Sequence, residues 1–182
     1  MNNINEVNLL QYPIGPFEKK ENYTHDELRE LIEIIENAPE NYRRVTEKLQ
    51  PGDLSKTYRE GSWNIQQLIH HVADIHLLHL LRMKKALTEP ESDKGTVIID
   101  MDGWAKTPDA VSAPIEDSLV MFDSINRRYV FLLRSLDDAA LKIQYFHPVR
   151  KYWINQAQAI AMSAWHVNHH LAHIKIALGA GL

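Results

Sequence analysis

The stretch Trp165-His166-Val167-Asn168-His169-His170-Leu171-Ala172-His173 crowds four imidazoles into an otherwise apolar run. Neutral imidazole is the commonest metal-binding side chain. On a helix each residue advances about 100°, so these four histidines fall within one stripe roughly 100° wide. Residues four apart bring their Cβ atoms to about 5–6 Å, close enough for two rings to share an ion. His166/His170 and His169/His173 both meet that spacing, and spacing alone does not choose between them. A second cluster, His70, His71, His76 and His79, means that eight of the ten histidines lie in two short segments.

Two imidazoles on one helix make half a site. A third from a facing helix completes the three-ligand arrangement with an open position that typifies catalytic zinc. His71 is the candidate, because it lies at the edge of the apolar face of its segment, whereas His70 points almost the opposite way. His76 and His79 form no comparable stripe and read as packing or surface residues; His25 and His147 stand alone and are assigned nothing. A lone histidine is usually an ordinary one, satisfied by a carbonyl or water. Four on one stripe, with a second cluster elsewhere, argue for a site.

Asp74, three residues after His71, is placed either to orient an imidazole, to act as general base, or simply to pair with Arg82. Tyr58, Arg59 and Trp63 are placed to line the mouth of such a site. The chain has no Gly-rich phosphate loop, no Gly-x-Ser-x-Gly elbow and no His-Glu-x-x-His motif, which removes the common nucleotide, hydrolase-elbow and zincin readings.

The elements that position these residues are helical. Thr24 offers an N-cap to a first helix with Leu28, Leu31, Ile32 and Ile35 on its apolar face, which Pro39 is expected to kink or interrupt. Asn64 with Gln67, and Asn155 with Gln158, have the capping-box spacing and start helices over 65–87 and 155–178; Trp63 with Leu68 is placed as a hydrophobic staple. Ser112 is expected to cap a third long helix over 114–135, followed by a short turn near 137–141. Residues 1–23 read as an extended arm, 88–113 as a long crossover with a short helix near Trp104, and 143–153 as a small hairpin or irregular segment interrupted by Pro148. A crossover of that length lets its flanking helices be other than simple antiparallel neighbours. Gly179 ends the last helix. An all-α four-helix bundle results, in which ligand sites are built from facing helices.

The 182 residues, 45% of them hydrophobic, suit a single domain with a substantial core. A net charge of −4 with interspersed signs gives no basic stripe for nucleic acid. Without cysteine there is no disulfide, thiolate ligand or cysteine nucleophile, so a metal must be held by nitrogen and oxygen. No basic leader and no apolar run approaching 18 residues is present, so a cytoplasmic protein with no membrane partner is expected.

Tyr12-Pro13-Ile14-Gly15, Tyr58-Arg59-Glu60-Gly61-Ser62-Trp63, Gln67-Leu68-Ile69-His70-His71-Val72-Ala73-Asp74, Phe146-His147-Pro148 and the 165–173 run, in this order, resemble the YfiT branch of the DinB-like superfamily across roughly 12–175. The resemblance implies a four-helix bundle, often dimeric, with one zinc or nickel ion per chain held by three histidines. Carried over position by position, it places the metal on His71, His166 and His170. Many members of the wider superfamily have glutamine at the position of His173, so His173 is expected to line the pocket, with His169 turned partly away. The implied activity is metal-dependent hydrolysis of a small molecule; the alternatives are S-transfer from a low-molecular-weight thiol such as bacillithiol, or a non-enzymatic metal-binding stress-response module.

Overall fold

The computed structural model describes residues 9–89, 97–147 and 150–180. The first eight residues of the expected arm, part of the crossover and the Pro148 interruption lie outside them. Four long helices form the body: α1 (His25–Thr46), α2 (Ile65–Thr88), α5 (Ile115–Arg134) and α7 (Gln156–Ala177). Short helices α3 (Met101–Trp104), α4 (Pro108–Ser112) and α6 (Asp138–Leu141) fill the connections, with a 3-10 turn at Pro51–Ser55. Strands β1 (Gln144–His147) and β2 (Tyr152–Asn155) form the expected hairpin, antiparallel with Tyr145 opposite Ile154.

The helix starts are chemical. Thr24/Glu27, Asn64/Gln67 and Asn155/Gln158 form reciprocal capping boxes that satisfy orphan N–H groups at the first turns of α1, α2 and α7. At the far end of α7, Gly179 adopts φ +88°. Its N–H reaches the Ile176 carbonyl and that of Ala180 reaches Lys175, a Schellman closure. Ser112 does not cap α5. It ends α4, returning its hydroxyl to the Pro108 carbonyl at 2.6 Å, while Pro114 occupies the α5 cap without a side-chain bond. The reason is Pro108, which starts a separate helical turn before Ala113-Pro114 breaks it.

Pro39 does not split α1 either. A helix-interior proline removes the donor owed to the carbonyl four residues back, here the buried Ile35. Asn126 supplies it instead, donating from Nδ2 to the Ile35 oxygen at 2.9 Å. The helix continues because a side chain on a neighbouring helix stands in for the missing N–H.

In the bundle α1 packs on α5 and α7, and α2 packs on the same two, so α1 and α2 are diagonal, as are α5 and α7. The contacts His70–Ser118 and His76–Asn126 run α2 and α5 parallel. That is how the crossover is spent: α4 packs on α2, and Gln67 and Gln66 at the start of α2 donate to the Ala105 and Ala113 carbonyls, returning the chain to where α2 began. The long connection therefore joins spatial neighbours, and the diagonal jumps fall at 47–64 and 135–155. Because α2 is covered by α4, α5 and α7, it is buried on nearly all sides. His70, which helical phase turns away from the main face, is buried too and bonds Ser118 Oγ at 2.7 Å.

The apolar core forms two clusters. One gathers Ile32, Ile35, Met83, Tyr129 and Ile160; the other gathers Tyr42, Leu68, Val72, Phe122 and Ile174. Between them runs a polar layer of His76, His79, Asn126 and Ser163, every member buried. Asn126→Ala should leave both the Ile35 carbonyl and His76 unpaired and destabilise the protein by on the order of 2–4 kcal/mol in urea unfolding. In a Pro39→Ala background, where the helix regains its own N–H, that cost should shrink measurably; equal costs in both backgrounds would refute the substitution of side chain for backbone.

Candidate metal centre

α2 and α7 run antiparallel, bringing His71 against the histidine stripe of α7. His71 Nε2 and His166 Nε2 stand 3.3 Å apart, and the His170 ring lies 4.8 Å from that of His71 and 4.6 Å from that of His166. The ligand nitrogens of these three all lie within 4.8 Å of one another, and the three residues could hold a metal ion. So could a second group, His169, His170 and His173, which shares His170 with the first. Tetrahedral ligands with metal–nitrogen distances of about 2.0–2.1 Å are about 3.3–3.4 Å apart, close to the His71–His166 separation.

Proton positions follow from fixed acceptors. A carbonyl oxygen accepts only, so His173 Nε2–H donates to the Gln11 carbonyl at 3.2 Å. His173 Nδ1 is then the acceptor for His170 Nδ1–H at 3.4 Å, and His170 keeps a lone pair on Nε2. On the other side Asn126 is oriented by its bond to Ile35, so its Oδ1 accepts from His76 Nδ1–H at 2.7 Å and His76 Nε2 is bare. Ser163 Oγ gives its proton to the Ala159 carbonyl and accepts from His79 Nδ1 at 3.0 Å, leaving His79 Nε2 bare as well. The rings of His76 and His79 stand 5.9 and 5.6 Å from that of His166. His166 Nδ1 is buried and has no hydrogen-bond partner among the described residues.

Burial, chiefly, keeps these rings neutral. It lowers the His71 pKa to about 3, with His76 adding to the effect, and that of His76 to about 4. His166 and His170 are held well below the ordinary imidazole range by burial first and by neighbouring imidazoles second. Lone pairs are thus available at neutral pH without proton loss, the state a metal ligand needs.

The cavity around these rings measures about 390 Å³, and Tyr12, Tyr58, Arg59, Trp63 and Trp165 line it together with the histidines. Tyr58 stacks on His173 at 3.7 Å between centroids, Trp63 lies 4.6 Å from His71, and Trp165 stacks on His169 at 4.4 Å. The loop before α2 therefore forms the mouth, as its position in sequence suggests. His169 does not turn away but lines the same cavity. The described part of the N-terminal arm is tied over α7, with Trp165 Nε1 donating to the Gly15 carbonyl at 3.0 Å and Gln158 Nε2 to that of Lys20 at 2.9 Å. Asp74 is not brought to the cavity. It shares no hydrogen bond or ion pair with His71 or Arg82 among the described residues, and burial followed by Asp109 raises its pKa to about 6.

A family model described as the DinB superfamily matches residues 34–174. The chain belongs to the DinB superfamily. It is 41% identical over 165 residues to a Bacillus pumilus protein named "Putative metal-dependent hydrolase", covering 91% of this chain and 93% of that one. It is 31% identical over 165 residues to the Bacillus subtilis protein named "Putative metal-dependent hydrolase YfiT", covering 91% and 92%. The solved structure of YfiT, described as a probable metal-dependent hydrolase with an unusual four-helix bundle topology, superposes with a TM-score of 0.87 at 30% identity, covering 92% of this chain and 94% of that one. The diagonal placement of sequential helices accords with the unusual bundle topology described for YfiT.

Three contributors escape sequence reading: His76, His79 and Asn126. Asn126 does leave a trace, a polar residue among Phe122, Ile125 and Tyr129 on an inward stripe. The shifted histidines also set a pH dependence. Unfolded imidazoles take up protons below about 6.5, whereas native His76 and His71 do so only near 4 and 3. The unfolding free energy of metal-free protein should therefore fall as pH drops from about 6.5 towards 4. The urea midpoint measures it, and a midpoint unchanged over that window would contradict the buried neutral state.

Proposed function

We propose that this DinB-superfamily protein is a metal-dependent hydrolase of a small molecule, with one divalent transition ion, zinc or nickel, on His71, His166 and His170. The observation that carries this reading is the convergence of three neutral imidazoles from two helices, with His71 and His166 Nε2 only 3.3 Å apart. The donor set fits the group. All three ligands are neutral nitrogens, and nothing in a cysteine-free chain competes as thiolate. Of the two candidate triads, the first is favoured because His173 is engaged by Gln11 and accepts from His170, the role of an outer partner that orients a ligand and raises its basicity.

A divalent ion held there would acidify bound water and polarise a carbonyl. The chain's own residues do the rest. Tyr58, Trp63 and Trp165 pack the histidine rings in place and shield them from solvent. Arg59, at the mouth, offers a guanidinium whose buried Nε lacks a partner among the described residues. A cavity of about 390 Å³ beside three ligands supports an open, catalytic site over a closed structural one.

Thiol S-transfer is a second reading, favoured by one feature. A separate cavity meets the first at Met101, Trp165 and His166, so two molecules have room to meet beside the triad.

Elemental analysis should find about one zinc or nickel ion per chain. His166→Ala and His170→Ala should each abolish it, His173→Ala should weaken affinity by about 10–100-fold, and His169→Ala should leave it intact. Full occupancy in both His166→Ala and His170→Ala would overturn the assignment. Loss in His169→Ala with retention in His71→Ala would move the ion to the second triad.

A further inference from the structure

The second cavity has about 320 Å³ and lies between α2, the segment around Ile98–Met101, the hairpin end and α7. Its apolar wall is Ile75, Leu78, Ile98, Ile99 and Met162. Its polar wall is Arg82, Arg150, His79 and His147, and no carboxylate is among its described lining residues. Arg82 is buried, 9% exposed, and its Nε and Nη2 both donate to the Val97 carbonyl at 3.1 and 2.7 Å. This two-pronged grip fixes the guanidinium plane but brings no counter-charge, since a carbonyl is neutral. The Nη1 edge has no partner, and neither Arg82 nor exposed Arg150 forms an ion pair, among the described residues. An uncompensated buried charge is costly, and a fixed guanidinium edge matches the two oxygens of a carboxylate. Burial, then the charges of Arg82 and Arg150, hold His147 down to about 4, so the positive field reaches the cavity wall.

We propose that this cavity is the recognition chamber for a small amphipathic carboxylate: Arg82 holds the carboxylate, the aliphatic wall takes the body, and the far end of the molecule reaches His166. The cavity shares His166, Trp165 and Met101 with the histidine cavity, so a ligand anchored at Arg82 extends towards the triad. One buried guanidinium neutralises one charge, and the apolar wall rewards a hydrocarbon body, so a monoanionic acid fits better than inorganic phosphate. The inference deepens the hydrolase reading by naming its substrate class, and rests on that reading only for what happens at the end near His166.

The test is calorimetric titration of metal-free protein with octanoate, octanamide and inorganic phosphate. Octanoate should bind saturably, while octanamide and phosphate bind at least about tenfold more weakly, because a charged hydrogen-bonded pair is lost in one case and the apolar contacts in the other. Arg82→Gln keeps a donor for the Val97 carbonyl and should weaken octanoate by about tenfold to hundredfold with little change in thermal midpoint. Saturable octanoate binding in the absence of any metal separates this chamber from the metal reading. Absence of octanoate binding, equal binding of octanamide, unchanged affinity in Arg82→Gln, or binding that appears only with metal would each overturn the proposal. Parent protein that neither carries a divalent transition ion as purified nor takes one up on addition of zinc or nickel would overturn the hydrolase reading and leave the chamber standing.

Discussion

Four of the imidazoles buried between α2 and α7, those of His76, His79, His170 and His173, find a fixed acceptor for their single N–H, and that pairing organises the centre of the molecule. A neutral histidine out of water carries one donor and one acceptor, and an unpaired one costs on the order of 1–3 kcal/mol. The protein meets the demand with groups that cannot reverse their roles. Main-chain carbonyls at Gln11 and Ala159 fix one end of two chains, and the carbonyl freed by Pro39 fixes the third through Asn126. Each chain ends on an imidazole lone pair facing inward. A proline that would ordinarily weaken a helix thus sets, two bonds away, which nitrogen of His76 carries its proton.

The bundle topology makes this arrangement possible. With α2 parallel to α5 and antiparallel to α7, its two flanks meet different chemistry: His70 and His76 face hydroxyl and amide groups of α5, while His71 and His79 face α7. The polar layer is sealed above and below by the two apolar clusters. The described arm, helical at 9–11 and packed on the core through Phe17 and Tyr23, then closes one side of the site through Gln11 and Gly15, so a segment outside the four long helices contributes a proton acceptor at the centre. That is why the pKa shifts arise chiefly from burial and only secondarily from charge.

Two cavities open beside the same histidine and differ in what they offer. The first is rimmed by aromatic rings and the histidine stripe, and the second combines a fixed guanidinium with aliphatic walls. His166 lies between them with its Nε2 towards His71 and its Nδ1 buried. The two cavities thus place a histidine cluster on one side of His166 and an arginine-lined apolar wall on the other. The neutral rings can ligate or relay a proton, while the charged groups are the Arg59 guanidinium at the mouth of the first cavity and Arg82 in the wall of the second.

Much of this was legible in the sequence because it is local. Capping pairs at Thr24, Asn64 and Asn155 fix helix starts whatever surrounds them, and the stripe at 166–173 follows from helical phase alone. Helix count and loop lengths implied the bundle and the apolar-face edge singled out His71; the DinB-type motifs added the choice of His166 and His170 over His169 and His173. Other features depend on which helix stands beside which, and no local pattern carries that. Pro39 reads as a break until Asn126 is seen to replace its N–H; Asp74 is three residues from His71 yet faces the side of α2 towards α4. His76 and His79 read as ordinary residues because their partners, Asn126 and Ser163, lie 50 and 84 positions away. The sequence by itself determined the helices and the histidine supply, since both follow from periodicity and capping within a few residues. Only the tertiary structure decided which nitrogens face inward, because a proton on an imidazole is placed by acceptors that distant parts of the chain provide.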